Sequence, residues 1–139
     1  MPDALFGGFD ISSSAMSAER LRMTVAAENL ANADSTRRLA NGLPYARQRV
    51  VFSSELDQAG QLTGKVLSEV VASPRYDNRH DPTHPDADAN GVVTSSAIDP
   101  ILEMVDLMTA SKSYDANANA SRGLLRMHES ALRLGEIQG

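Results

Sequence analysis

Both ends of this chain have helical spacing and apolar residues on two opposed sides, and a single packing partner cannot cover both sides of one helix. From about Asp10 to Asn32 there is no Gly or Pro, and Ala, Met, Leu, Glu and Arg are prominent. A helix of roughly 20 residues, about 30 Å long, is expected there, capped by Asp10 or one of Ser12 to Ser14. The last zone opens with Asp99-Pro100, a cap followed by proline at the first helical position, with Glu103 beside the positive helix end. Arg133 and Gly135 mark its expected stop. Pro100 to Leu134 would be roughly 50 Å of helix if continuous, with Gly123 costing about 1 kcal/mol against alanine.

Advancing 100° per residue along the first helix places Ile11, Ala18, Leu21 and Val25 on one stripe, and Met16, Met23, Ala27 and Leu30 on a second, nearly opposite. On the last helix Ile98, Ile101, Leu102, Val105, Ala116, Met127 and Leu134 form one group; Leu107, Tyr114, Ala118, Leu125 and Leu132 form another. Pairing the two terminal helices covers one seam of each and leaves the others for neighbouring molecules, which is the logic of a polymer subunit. Asn29 and Asn32 extend the first stripe. They either fix alignment within an apolar seam or face water near the helix end. Asn117 and Asn119 admit the same two readings.

The middle, from Asp34 to Ala97, holds most of the Gly and Pro. Short strands are expected at Tyr45 to Phe52, Lys65 to Ala72 and Gly91 to Thr94, with turns from Ser73 to Asn90. The fold expected is mainly α at the termini with a small β/loop middle segment, the two helices pairing as an antiparallel coiled-coil-like element in an elongated subunit. Its zones are residues 1–36, 37–97 and 98–139. A chain of 139 residues has no room for a second independent core.

Composition excludes several classes of function. Thirteen Lys and Arg against eighteen Asp and Glu leave a net charge of −5, which argues against a nucleic-acid or anionic-membrane surface. No cysteine is present, so disulfides, thiolate metal sites and cysteine nucleophiles are absent. Three Phe, three Tyr and no Trp suit helix packing better than an aromatic-lined cofactor pocket, and no cofactor is expected. No stretch reads as a secretory signal or as a membrane span. There is no nucleophile elbow, P-loop or dinucleotide fingerprint, and no carboxylate pair stands out, so no catalytic residue is nominated.

The densest run of chemistry-bearing residues is Asp77 to Gly91, DNRHDPTHPDADANG. Asp86, Asp88, Asn90 and Gly91 match the opening of an EF-hand calcium loop, but the position of its bidentate Glu falls on Ala97 and Pro85 replaces the entering helix. His80 and His84 with nearby aspartates suggest zinc, yet Pro82 and Pro85 forbid the helix that would align them. A proline-stiffened turn whose Asp and Asn side chains bond their own backbone accounts for the same residues, and no metal site is assigned.

Asn29 to Thr36, NLANADST, at the end of the first helix, resembles the signature of the bacterial flagellar axial proteins of rod and hook. HPDADANG resembles the hallmark of that family's proximal-rod members, and Glu103 to Asn117, EMVDLMTASKSYDAN, is similar to the family's closing helix. The family-motif loop carries Tyr76, Asp77, His84, Pro85, Asp86, Asp88, Asn90 and Gly91. Asn78-Arg79-His80-Asp81, Val92 and Ser95-Ser96-Ala97 depart from the family pattern.

The resemblance implies a non-enzymatic rod subunit whose terminal helices line an inner tube and whose middle forms an outer layer. It implies passage through the flagellar type III export apparatus without a cleaved signal peptide, and assembly in the periplasmic part of the basal body to transmit torque. Its partners would be other copies of the same chain and sister rod proteins, with no nucleic acid and no membrane insertion. Subunit-interface residues are expected at Leu21, Val25, Asn29, Leu30 and Asn32 on the first helix. On the last they are expected at Ile101, Val105, Met108, Tyr114, Asn117, Leu125 and Leu132.

Overall fold

A computed structural model describes the backbone of residues 2–137 and the side chains of residues 7–134. Its elements are α1 (Pro2–Ala31), β1 (Gln48–Leu56), β2 (Leu62–Ala72), β3 (Tyr76–His80), β4 (Val92–Ser96) and α2 (Pro100–Ile137). Two terminal helices therefore flank a small antiparallel β middle, in which β1 pairs with β2 and β3 with β4.

Helix α1 begins well before Asp10, with Pro2 as its first residue. Neither Asp10 nor Ser14 caps it. The Asp10 carboxylate takes an ion pair from Lys65 Nζ at 3.0 Å. Ser14 Oγ donates to Ile11 O and accepts from Val66 N. Gly8 is explained by its neighbour, since a Cβ at that position would lie 3.0 Å from Leu124 Cδ1. Helix α2 begins as the sequence predicts, with Asp99 Oδ1 accepting from Ile101 N at 2.9 Å. It then runs through Gly123, Arg133 and Gly135 to Ile137, since one glycine costs too little to stop a helix of 38 residues.

The polar run Tyr76–His80, expected as turn, is a strand. It pairs in register with β4 from Tyr76↔Ser96 to His80↔Val92. The partner and the closed loop beyond it impose the extended form, against weak local propensity. Residues 78–80 of the family departure are thus absorbed into β3.

The chain divides into two compact units, each taking part of both helices and part of the middle. One holds the residues up to Leu21, Phe52–Ser68 and those from Thr109 onward; the other holds Arg22–Val51 and Glu69–Met108. In the first unit the hairpin tip turns on Asp57, whose Oδ1 accepts from Ala59 N and Gln61 N, both at 2.8 Å. Strand β2 then crosses close to α1 at Gly64 (φ 80°), where a Cβ would lie 2.8 Å from Ile11 Cδ1.

In the second unit the end of α1, the linker of residues 32–47, β3, β4 and the first turns of α2 share a small core. Its buried apolar members are Val25, Ala26, Ala33, Pro44, Val93 and Ile98, and its buried polar members are Asn29, Ser96 and Glu103. Methyl-sized groups each contribute only about 0.8 kcal/mol, so polar contacts carry an unusual share of the specificity here. Gly91 sits buried at φ 72°, where a Cβ would lie 2.9 Å from Pro82 Cγ and 3.1 Å from His80 Cε1. Gly91→Ala is therefore expected to destabilise the chain by about 1–3 kcal/mol, read as a lower urea midpoint with unchanged slope. An unaltered midpoint would remove the need for glycine there.

Candidate assembly surface

The covered face of α2 is polar and small. Glu103 and Ala110 are buried, and Asp106, Asn117, Ser121 and Leu124 are half-buried, all within roughly 40° of one direction on the helix. Ile101, Val105 and Met108 lie opposite, exposed at 66%, 55% and 58%. Nine large apolar side chains of α2 are exposed among the described residues, Leu102, Met104, Leu125 and Leu132 included. Apart from Ile98, which precedes the helix and is buried, the first apolar group counted from the sequence lies on the outward face of α2, while Leu107 and Tyr114 of the second group lie among its covered positions.

On α1 the first stripe is the covered one. Ala18, Val25 and Asn29 are buried, Leu21 is half-buried and Ile11 is exposed. Val25 and Asn29, expected at a subunit interface, have their side chains buried inside their own chain, so they hold the subunit together. Leu30, Asn32, Tyr114 and Asn117 are half-buried. Asn32 and Asn117 each donate to a carbonyl one turn back, Glu28 O and Ser113 O.

Asn29 is neither a seam residue between molecules nor a water-facing one. At 1% exposure its carboxamide makes four hydrogen bonds. Nδ2 donates to Gln48 O at 2.7 Å and to Glu103 Oε2 at 2.9 Å. Oδ1 accepts from Gln48 N at 2.9 Å and from the Tyr45 hydroxyl at 3.0 Å. Two donors and two acceptor sites are the whole capacity of the group. Glu103, also at 1% exposure, gives its other oxygen, Oε1, to Arg47 Nε at 2.7 Å. One turn on, Asp106 pairs with Arg22 of α1. Burial first, and then the negative charges of Glu28 and Glu103, push the Tyr45 phenol above its ordinary value, keeping it a donor.

The motif loop is braced from within. Asp88 Oδ1 accepts from Asn90 N and Val92 N, both at 2.8 Å, and Asp81 accepts from Thr83. Asp86 Oδ2 accepts from Thr36 Oγ1 at 2.6 Å, tying HPDADANG to the end of NLANADST. Asp86 N donates to His84 Nδ1 at 3.1 Å, and the same nitrogen lies 4.0 Å from Asp86 Oδ2. Tyr76 is half-buried, whereas Asp77, Pro85 and Asn90 are exposed. Among the described residues no three His, Asp or Glu side chains are grouped to hold a metal ion, and no helix is long and apolar enough to cross a membrane.

Sequence reasoning missed Arg22, Tyr45, Arg47 and Asp106, and treated Glu103 only as a helix-end charge. The available signal was Glu103 and Asp106, one turn apart as the only acids in ILEMVDLM.

Comparison with known proteins agrees with this architecture. Residues 9–38 match the family model of flagella basal body rod proteins, and residues 89–134 match that of the C-terminal region of flagellar basal body rod FlgEFG proteins. The flagellar basal-body rod protein FlgC of Salmonella typhimurium (strain LT2) is 42% identical over 136 residues, spanning 96% of this chain and 99% of that protein. This chain belongs to the FlgC family of flagellar basal-body rod proteins. FlgC of Bacillus subtilis (strain 168) is 35% identical over 147 aligned positions, covering 94% of this chain and 98% of that protein. FlgC of Aquifex aeolicus is 38% identical over 118 residues, covering 84% of this chain and 86% of its own. As a FlgC-family chain it is a structural, non-enzymatic subunit of the proximal rod of the flagellar basal body.

The backbone N–H groups of Val92 and Asn90 hold the Asp88 carboxyl below the usual aspartate range. A lowered folded value contributes stability above the unfolded pKa, and that contribution is lost as pH falls through the folded one. The amide resonances of Asn90 and Val92 should therefore titrate together with a midpoint below that of a free aspartate. A midpoint at the ordinary value would mean that Asp88 does not brace the loop.

Proposed function

We propose that this subunit polymerises through its terminal helices, with the outward apolar face of α2 as the surface that neighbouring molecules bury. The observation that carries this reading is the exposure of Ile101, Val105 and Met108 opposite a polar, covered face. A contiguous apolar face of this kind marks an interaction site. Within each subunit the helices pair in antiparallel, coiled-coil-like fashion. Support comes from one unit, where Asn29 meets Glu103 and Arg22 meets Asp106, steps that run in opposite senses along the two helices. In the other unit Leu124 approaches Gly8. Covered positions 103, 107, 110, 114, 117, 121 and 124 of α2 also recur at alternating steps of four and three.

The partners are other copies of this chain and sister rod proteins. The subunit reaches the periplasmic part of the basal body through the flagellar type III export apparatus, and the assembled rod passes torque outward. The interface residues expected from the sequence divide accordingly. Ile101, Val105, Met108, Leu125 and Leu132 face neighbours, while Val25 and Asn29 act within the subunit.

Val105 is more than half exposed, so Val105→Asp should leave the helix content and melting of the purified chain unchanged within about 0.5 kcal/mol. It should abolish swimming and rod formation, because a desolvated unpaired carboxylate costs several kcal/mol at an interface. Normal swimming with Val105→Asp would remove this face from assembly.

A further inference from the structure

We infer that Asn29 is a positioning residue for assembly, one carboxamide that joins α1, the root of β1 and the first turn of α2, and so fixes which face of α2 is presented outward. The inference rests on the assembly reading above.

Gln48 opens β1, and Asn29 engages both its N–H and its C=O, much as a neighbouring strand would. The remaining amide proton goes to Glu103 Oε2, and the remaining lone pair takes the Tyr45 hydroxyl. No other residue type offers two donors and two acceptors at this reach. Aspartate has no donor, leucine has neither, and glutamine is one methylene longer.

Glu103 is the other half of the device. It is buried between exposed Leu102 and Met104 in the sequence, so anchoring its carboxylate turns the whole first stretch of α2. Apolar burial alone would favour rotating Ile101 and Val105 inward. The paired Glu103 and Asp106 forbid that rotation, because it would leave polar partners unsatisfied on α1 and the linker.

The test exchanges the polarity of the bond. Asn29→Asp sets two carboxylate oxygens against each other and one against Gln48 O. Glu103→Gln sets two amide groups face to face, donor against donor. In the double variant the pair matches again: the amide introduced at position 103 donates to the carboxylate introduced at position 29, while its oxygen still accepts from Arg47. The first readout is amide exchange at Gln48 in the purified full chain, and the second is swimming.

Each single substitution is expected to speed Gln48 exchange by about tenfold or more, and the double variant to exchange more slowly than Asn29→Asp, even though its carboxylate still faces Gln48 O. Swimming should follow the same order. Should either single variant fail to yield folded chain, recovery of folded chain in the double variant serves as the same readout. A double variant no better than Asn29→Asp overturns the pairing. Restored exchange without restored swimming overturns the link from this junction to assembly, and Val105→Asp still tests polymerisation separately.

Discussion

A side-chain amide removed from water must find partners for two protons and two lone pairs, and at Asn29 all four come from the same folded chain. The carboxamide cannot be deleted in isolation. Its loss leaves Gln48 with two unpaired backbone groups and Glu103 buried with Arg47 alone. Each buried polar group left unsatisfied in this way costs about 1–3 kcal/mol, and more where the group is charged. Those magnitudes rival the stability of a small domain, whereas the surrounding core is mostly alanine and valine. Polar geometry, more than apolar volume, therefore selects the arrangement of α1, the linker and α2 in that unit.

Polar selection explains why α2 carries its bulky residues outward. A monomeric protein gains by turning such a face inward. Here the inward face carries Glu103 and Asp106, which meet Asn29, Arg47 and Arg22, and the small Ala110. The outward face is then free to gain its burial from other molecules. Stability and assembly become linked by mass action, since anything that binds the folded chain but not the unfolded one deepens the folded state. On the assembly proposed above, a subunit with a spare apolar face gains in the rod a stability that it lacks alone.

Much of this was readable from the residues, in proportion to how local the cause is. The two helices follow from spacing and from the scarcity of breakers, and the Asp99-Pro100 start follows from capping chemistry. Strands β1 and β2 follow in part from the short runs Tyr45 to Phe52 and Lys65 to Ala72, but their pairing across a short turn does not. Strand β3 was not readable, because YDNRH has no β pattern and is extended only through its ladder with β4. The early start of α1 was not readable either, since Gly7 and Gly8 argue against helix unless the approach of Leu124 is known. For the candidate surface, spacing found the apolar groups but not which of them faced inward. That choice is made by hydrogen bonds between residues 74 apart in sequence, Asn29 and Glu103, and periodicity holds no information about such pairs.

The two sequence signatures have a physical relation that neither shows alone. Thr36, at the end of NLANADST, donates to Asp86 of HPDADANG, while Asn29, at its start, holds Gln48 and Glu103. One short segment thus ties the exit of α1 to the motif loop at one end and to β1 and α2 at the other. The aspartates that suggested a cation site are acceptors for nearby N–H and O–H groups: Asp88 for the backbone of its own turn, Asp81 for Thr83, Asp86 for Thr36. Carboxylates used this way brace a loop of proline and glycine that would otherwise have few contacts. Their density therefore reflects a need for rigidity around the helix exit, where an error in direction would misplace both the root of β1 and the first turn of α2.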